Sequence, residues 1–189
     1  ILTNEKLSIR QGLHRFRWNM KHTGAWHKDK KKSYKDGPLA KPGNYSIKLR
    51  TDDLEVIRNL VLITDPRITL SGVSDEDIYL QVDLQLKIID LLSETRKLTA
   101  QLLVEQESLL ANSKNEISSS QGEMRLKIIE QAIKELQTEE GTYMQPMLID
   151  QIIYLYNMTD KADQIPGKEA EDRYFELKSI FSEIVSGLS

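Results

Sequence analysis

The chain has 189 residues, 39% of them hydrophobic and 29% charged, with a formal net charge of −3 and no cysteine. A disulfide, a cysteine-zinc site and a thiol nucleophile are therefore excluded, and no apolar run, Leu60 to Ile63 included, approaches the ~20 residues of a membrane-spanning helix. The charge is unevenly placed: residues 1–70 hold 15 Lys/Arg against 7 Asp/Glu (net +8), whereas residues 71–189 hold 11 against 22 (net −11). Such a division implies an anionic partner or neutralisation within the chain and by solvent, and the second is the simpler expectation.

Ile1-Leu2-Thr3-Asn4 carries neither an initiating methionine nor the charged and apolar regions of a signal peptide, so the chain reads as a piece of a longer polypeptide. Leu13 to Met20 predicts a strand, because Phe16, Trp18 and Met20 alternate with Arg15, Arg17 and Asn19. The stretch His27 to Pro38 has no periodicity and reads as a long exposed loop, with turns at Gly37-Pro38 and Pro42-Gly43. Asn44 to Leu49 predicts a strand with Tyr45, Ile47 and Leu49 on one face. A turn at Thr51-Asp52-Asp53 returns it through Leu54 to Thr64. Asp65-Pro66 ends the strand region, since proline has no ladder donor and pushes the residue before it towards extended geometry.

Ser74, three residues before Asp77, offers a helix N-cap, and Asp75, Glu76 and Asp77 suit the positive end of the helix dipole. Leu84, Ile88, Leu91, Thr95, Leu98, Leu102 and Leu109 then predict a helix of more than thirty residues. Ala111 to Gly122 reads as a connection. Further helices follow over Glu123 to Glu139, after Pro146 (Leu148, Ile149, Ile152, Ile153, Tyr156) and after Pro166-Gly167 (Ala170, Tyr174, Leu177, Phe181, Ile184). The fold expected is α+β: an immunoglobulin-like antiparallel β-sandwich over 1–68, incomplete at its N-terminus, then an antiparallel four-helix bundle over 69–189.

The residues point to contact rather than catalysis. His14, His22 and His27 lack the spacing that sets two imidazoles on one helix face, so no metal site is expected, and no motif implies a cofactor. The carboxylates of Asp75/Glu76/Asp77, Glu139/Glu140 and Asp160/Asp163 fall at helix ends, where capping accounts for them without a glycosidase acid and base. No catalytic residue is assigned. Lys28, Lys30, Lys31, Lys32 and Lys35, with Trp26 and Tyr34 beside them, form a cationic and aromatic stretch. From it, Trp26, Lys30, Lys31, Lys32 and Tyr34 are the candidate binding residues. One lysine cluster of this length does not make a nucleic-acid site, and a protein or glycan is the expected partner. Trp18, in phase with Phe16 and Met20, is expected in the core.

Three stretches also carry a resemblance. They are Gly12-Leu13-His14-Arg15-Phe16-Arg17-Trp18-Asn19-Met20, then Gly37 to Leu49 (GPLAKPGNYSIKL), then Asp65-Pro66-Arg67. Their order resembles the C-terminal region of the sortilin-like, BNR-repeat β-propeller proteins of Bacteroidetes, often described as glycosyl hydrolases. Tyr154 to Met158 and Ala162 to Gly167 are similar to the helical tail of that family. His14 stands where the family has asparagine, and the lysine loop is longer and more basic than the family pattern. The sheet motifs are also similar to the immunoglobulin-like domain of flagellar hook-capping proteins.

The resemblance implies a periplasmic, outer-surface or secreted location and a propeller domain in the same parent chain, which would hold any hydrolase chemistry. The function expected is a non-catalytic accessory module of a larger exported protein. The alternatives are a glycoside hydrolase fragment contributing to carbohydrate binding or hydrolysis, and self-association through an unpaired edge strand.

Overall fold

The computed structural model describes residues 10–114 and 120–188. In chain order come β1 (Gly43–Arg50), β2 (Glu55–Leu62), α1 (Pro66–Leu70), α2 (Asp75–Lys114), α3 (Ser120–Leu136), α4 (Leu148–Thr159) and α5 (Lys168–Gly187). The chain is thus mixed α+β, with the sheet before the helices. The centre of the connection expected between α2 and α3, residues 115–119, lies outside the described residues.

Among the described residues the sheet is an antiparallel ribbon of two strands, β1 with β2. Its register follows from alternation: Tyr45 pairs with Leu60, Ile47 with Arg58 and Leu49 with Val56, so one face is mostly apolar. The turn closes where the Thr51 amide donates to the Leu54 carbonyl (2.8 Å) and the Leu54 amide to Thr51 Oγ1 (3.0 Å). Lys48 and Arg50 both pair with Glu55, at 2.8 and 3.0 Å, and these charges guard the ribbon's free edges. Ile47 and Leu49 stay exposed.

The strand expected over Leu13 to Met20 does not form. Leu13 is 97% exposed, Phe16 and Met20 are exposed as well, and no strand among the described residues pairs with Leu13 to Asn19. Met20 also turns the chain with φ of 57°, which ends any extended run there. Alternation alone cannot hold a strand that has no neighbour. Trp18 is half-buried rather than a core residue, its ring 5.6 Å from that of Tyr45.

The junction is built locally. Asp65 accepts the Arg67 amide at 2.9 Å and Pro66 opens α1, so the residues expected only to end a strand also start a five-residue helix. Hydrogen bonds from the Arg67 side chain, then from its backbone, hold the Asp65 carboxyl down to about 2. Ser74 and Asp77 then form a reciprocal cap: Asp77 Oδ2 accepts the Ser74 amide (2.8 Å) and Ser74 Oγ accepts the Asp77 amide (3.2 Å). Pro146 precedes the Met147 N-cap of α4 and so lies outside the first turn expected for it.

The core is helical. Leu84, Ile88, Leu91, Leu92 and Leu102 of α2 pack with Ile129 and Leu136 of α3, Leu148, Ile152 and Leu155 of α4, and Tyr174, Leu177 and Ile184 of α5. Thr95 and Thr99 sit buried in the α2 stripe, each donating its hydroxyl to the carbonyl four residues back. Gln81 and Gln85, also buried, finish the end of α4. Gln81 Nε2 donates to the carbonyls of Thr159 (2.6 Å) and Ala162 (2.7 Å), Gln85 Nε2 donates to that of Thr159 (2.8 Å), and Gln81 Oε1 accepts the Gln164 amide (3.1 Å). Carbonyls that a helix leaves orphaned at its end are thus satisfied by side chains of its neighbour.

Gln81→Leu removes this clasp while keeping the bulk of the side chain. The Thr159 carbonyl keeps its bond from Gln85, but leaving the Ala162 carbonyl and the Gln164 amide unpaired is expected to lower stability by about 1–3 kcal/mol, measured as a fall in the urea midpoint with unchanged slope.

Candidate functional site

The stretch expected as a long exposed loop is an ordered tongue. Its two sides, Met20 to Ala25 and Tyr34 to Ala40, run antiparallel. The Ala40 amide donates to the Met20 carbonyl (2.7 Å), that of His22 to Pro38 (2.8 Å), that of Gly24 to Tyr34 (3.2 Å), and that of Tyr34 to Ala25 (2.9 Å). Lys21 and Leu39 form a β-bridge. Two glycines let the sides approach: a Cβ on Gly24 would sit 1.7 Å from the Lys35 carbonyl oxygen, and one on Gly37 would sit 2.3 Å from that of His22. Three non-glycine residues, Met20, Tyr34 and Asp36, take φ near +60°, each at a cost that the cross-bonds offset.

The tip is one turn of helix. The amides of Lys32 and Ser33 both donate to the Asp29 carbonyl at 3.0 Å, and Asp29 Oδ1 accepts the Lys31 amide at 2.8 Å. His27 closes the turn from the other side, its Nδ1 accepting the Asp29 amide (2.9 Å) and its own amide donating to Ser33 Oγ (3.0 Å). Asp29 thus shapes the turn through both its carbonyl and its side chain.

Helices α2 and α4 hold the tongue. The Trp26 amide donates to Ser93 Oγ (3.0 Å), Arg96 Nη1 donates to the Trp26 carbonyl (3.3 Å), and Tyr156 Oη donates to the Asp36 carbonyl (3.1 Å). Ala25 is buried in the same cluster as the helical core, and Pro38 is fully buried. Burial, then the carboxylates of Asp160 and Asp36, pushes the Tyr156 hydroxyl well above its ordinary range, so it remains a donor. Burial lowers Arg96 from its usual value, partly offset by Asp150.

At the base of the tongue Lys41 pairs with Asp83 of α2 at 2.5 Å and lies 5.6 Å from the centre of the Tyr79 ring. Tyr45 Oη donates to the Lys41 carbonyl at 2.6 Å. His22 packs here with Nε2 buried and without a hydrogen-bond partner among the described residues, as is Trp18 Nε1. Burial foremost, then Lys41, lowers the His22 pKa, against a smaller opposing effect of Asp83.

Lys30, Lys31 and Lys32 are exposed at the tip, and Tyr34 is 54% exposed beside them. Trp26, expected as a contact residue, is half-buried and tied to α2 through its backbone. The tongue thus gathers all five candidates, on opposite sides of one hairpin. None of Lys28, Lys30, Lys31, Lys32 and Lys35 forms an ion pair among the described residues. Sequence reasoning missed Ser93, Arg96 and Tyr156. The i, i+3 pairing of Ser93 with Arg96 was the available signal, since two polar residues at that spacing share a helix face.

A second concavity, a groove of about 790 Å³ between α4 and α5, is lined by Tyr154, Leu155, Met158, Asp150, Glu169 and Arg173 among others. Arg173 reaches Gln151 Oε1 at 2.7 Å and Glu176 at 2.6 Å, and Asp150 Oδ2 accepts the Thr138 hydroxyl at 2.5 Å. The carboxylates singled out from the sequence are elsewhere: Asp77 caps α2 and Asp160 ends α4. No cluster of His, Asp and Glu able to hold a metal occurs among the described residues.

Comparison with known proteins finds no matching family model, no similar curated protein and no similar solved structure.

Two outcomes test this geometry. Gly24→Ala forces the Cβ into the Lys35 carbonyl and is expected to cost about 1–3 kcal/mol or more, whereas Gly187→Ala, with open space around it, is expected to be neutral or slightly stabilising. Urea unfolding followed by tryptophan fluorescence compares them. For His22, a folded pKa below the ordinary value means that the unfolded chain takes up the proton first as pH falls. Its contribution is therefore complete above about 6.5 and is lost progressively as pH drops below that towards the folded pKa. The urea midpoint is expected to fall across this window, and His22→Phe to flatten the fall.

Proposed function

We propose that this chain is a non-catalytic interaction module of a larger exported protein and that the tongue is its working surface. The observation that carries the reading is the tip: five lysines, without carboxylate partners among the described residues, held on a hairpin whose backbone is fixed to α2 and α4. A solvated loop needs no such anchoring. Charge fixed in one place is suited to meeting a partner.

The accessory role within a propeller protein, and the periplasmic, outer-surface or secreted location, rest on the motif resemblance in Gly12–Met20, Gly37–Leu49 and Asp65–Arg67. In this reading the ribbon belongs to an immunoglobulin-like sandwich, and α2 to α5 form an antiparallel four-helix bundle. The exposed apolar side chains of Ile47 and Leu49 support the first, since a lone two-stranded ribbon is marginal in water. The single core shared by four helices supports the second.

Titrating the chain with anionic and neutral glycans and with separately expressed partner domains tests the module. Binding that falls about tenfold or more in Lys30→Gln/Lys31→Gln/Lys32→Gln, and again in Trp26→Ala, is expected. Full binding by both variants removes the tongue from the account.

A second reading, a glycoside hydrolase fragment, is favoured by one observation: Asp150 and Glu169 line the same α4–α5 groove as the exposed ring of Tyr154. Hydrolysis needs two carboxyl groups about 5–5.5 Å or 6.5–9.5 Å apart across a sugar. Turnover of aryl glycosides that is abolished by Asp150→Asn and by Glu169→Gln supports this reading; no turnover dismisses it.

A further inference from the structure

We propose that the tip of the tongue, Lys28 to Lys35, is a peripheral docking point for a lipid bilayer bearing anionic headgroups. The proposal rests on the tongue being the working surface and names the partner that its shape fits.

The first argument is the direction of the charges. Because the Lys32 and Ser33 amides share the Asp29 carbonyl, residues 29–33 make one helical turn, and successive side chains leave it about 100° apart. Lys30, Lys31 and Lys32 therefore fan outward, with Lys28 and Lys35 beside them, all exposed. Cations that diverge do not cage a single phosphate or sulfate; they suit anions spread over an area.

The second is that the tip is exposed along its whole length from Lys28 to Lys32. The α4–α5 groove includes no tongue residue, so that groove does not lead a linear polyanion to the tip. A glycan chain or nucleic-acid strand laid against one side meets only the lysines on that side, and the phosphates of a duplex keep fixed spacings. Headgroups in a fluid bilayer diffuse laterally and gather around each lysine, so a fanned set of charges is satisfied together.

The side-chain types agree. The tip contains lysine and no arginine; ammonium groups are hydrated point charges, suited to a headgroup layer rather than to bidentate recognition. Tyr34, more than half exposed, is of the type that settles at a membrane–water interface. His27 to Asp36 holds no aliphatic side chain to enter hydrocarbon, and no helix among the described residues is long and apolar enough to cross a membrane, so contact is electrostatic and shallow. The acidic residues 71–189, net −11, are repelled by the same surface and turn the tip towards it.

The experiment is co-sedimentation of the full chain with vesicles of phosphatidylcholine alone and of phosphatidylcholine with about one third phosphatidylglycerol, at ~0.05 M and ~0.5 M salt. Binding to the anionic vesicles only, lost at the higher salt, is expected. Lys30→Gln/Lys31→Gln/Lys32→Gln should weaken it roughly a hundredfold with an unchanged circular dichroism spectrum, and inorganic phosphate at equal ionic strength should compete no better than chloride.

No binding to anionic vesicles at low salt, equal binding by the triple variant, or displacement by inorganic phosphate overturns the proposal. A sulfated glycan or an oligonucleotide bound in a lysine-dependent way while the vesicles are not would overturn the lipid assignment and leave the interaction module standing. Failure of all three probes and of the partner domains removes both.

Discussion

The helical core and the tongue both depend on α2 meeting two demands at once. One set of its residues, Leu84, Ile88, Leu91 and Leu102, fills the core shared with α3, α4 and α5. Another, Ser93 and Arg96, supplies hydrogen-bond partners to a backbone that belongs to no sheet. Backbone amides and carbonyls taken from water need partners, and an irregular tongue cannot provide all of its own. The order of the tongue is thus a tertiary property. Gln81 and Gln85 apply the same rule at the end of α4, so α2 satisfies its neighbours' backbone at several points along its length.

This arrangement changes the meaning of the divided charge. Neutralisation of the basic half by the acidic half is the simplest expectation from composition, and one such contact exists, Lys41 with Asp83. It lies at the base of the tongue. At the tip the nearest carboxylate, Asp29, shapes the turn through the Lys31 amide and, among the described residues, forms no ion pair with the exposed lysines. Internal pairing therefore seats the tongue and leaves its end cationic. Because the anchors are backbone contacts, the tip lysines are dispensable for folding, which separates the surface that meets a partner from the part that holds it.

The helices were legible because large apolar residues recur at spacings of three and four, and the Ser74 cap because its signature is local. The ribbon was legible from alternation in Tyr45, Ile47 and Leu49 with a turn at the right distance. The same alternation misled over Leu13 to Met20, where no neighbouring strand accepts the pattern and Met20 bends the chain. The tongue was hidden for the opposite reason: it has no periodicity, and its order comes from distant residues. Gly24 and Gly37 were visible, but two glycines announce close approach without naming what approaches. The lysines, Trp26 and Tyr34 could be chosen by composition; that Trp26 is largely a tether, and that Tyr156 reaches Asp36 across 120 positions of sequence, could not.

Amide hydrogen exchange at the tongue tests this account most directly, because it reads the order of each cross-bond without disturbing any of them. The account predicts that the amides of His22, Gly24, Trp26 and Tyr34 are protected and that Ser93→Ala speeds exchange at Trp26 while amides in the middle of α3 and α5 are unaffected. Exchange at free-peptide rates throughout Met20 to Ala40 in the unaltered chain would contradict it.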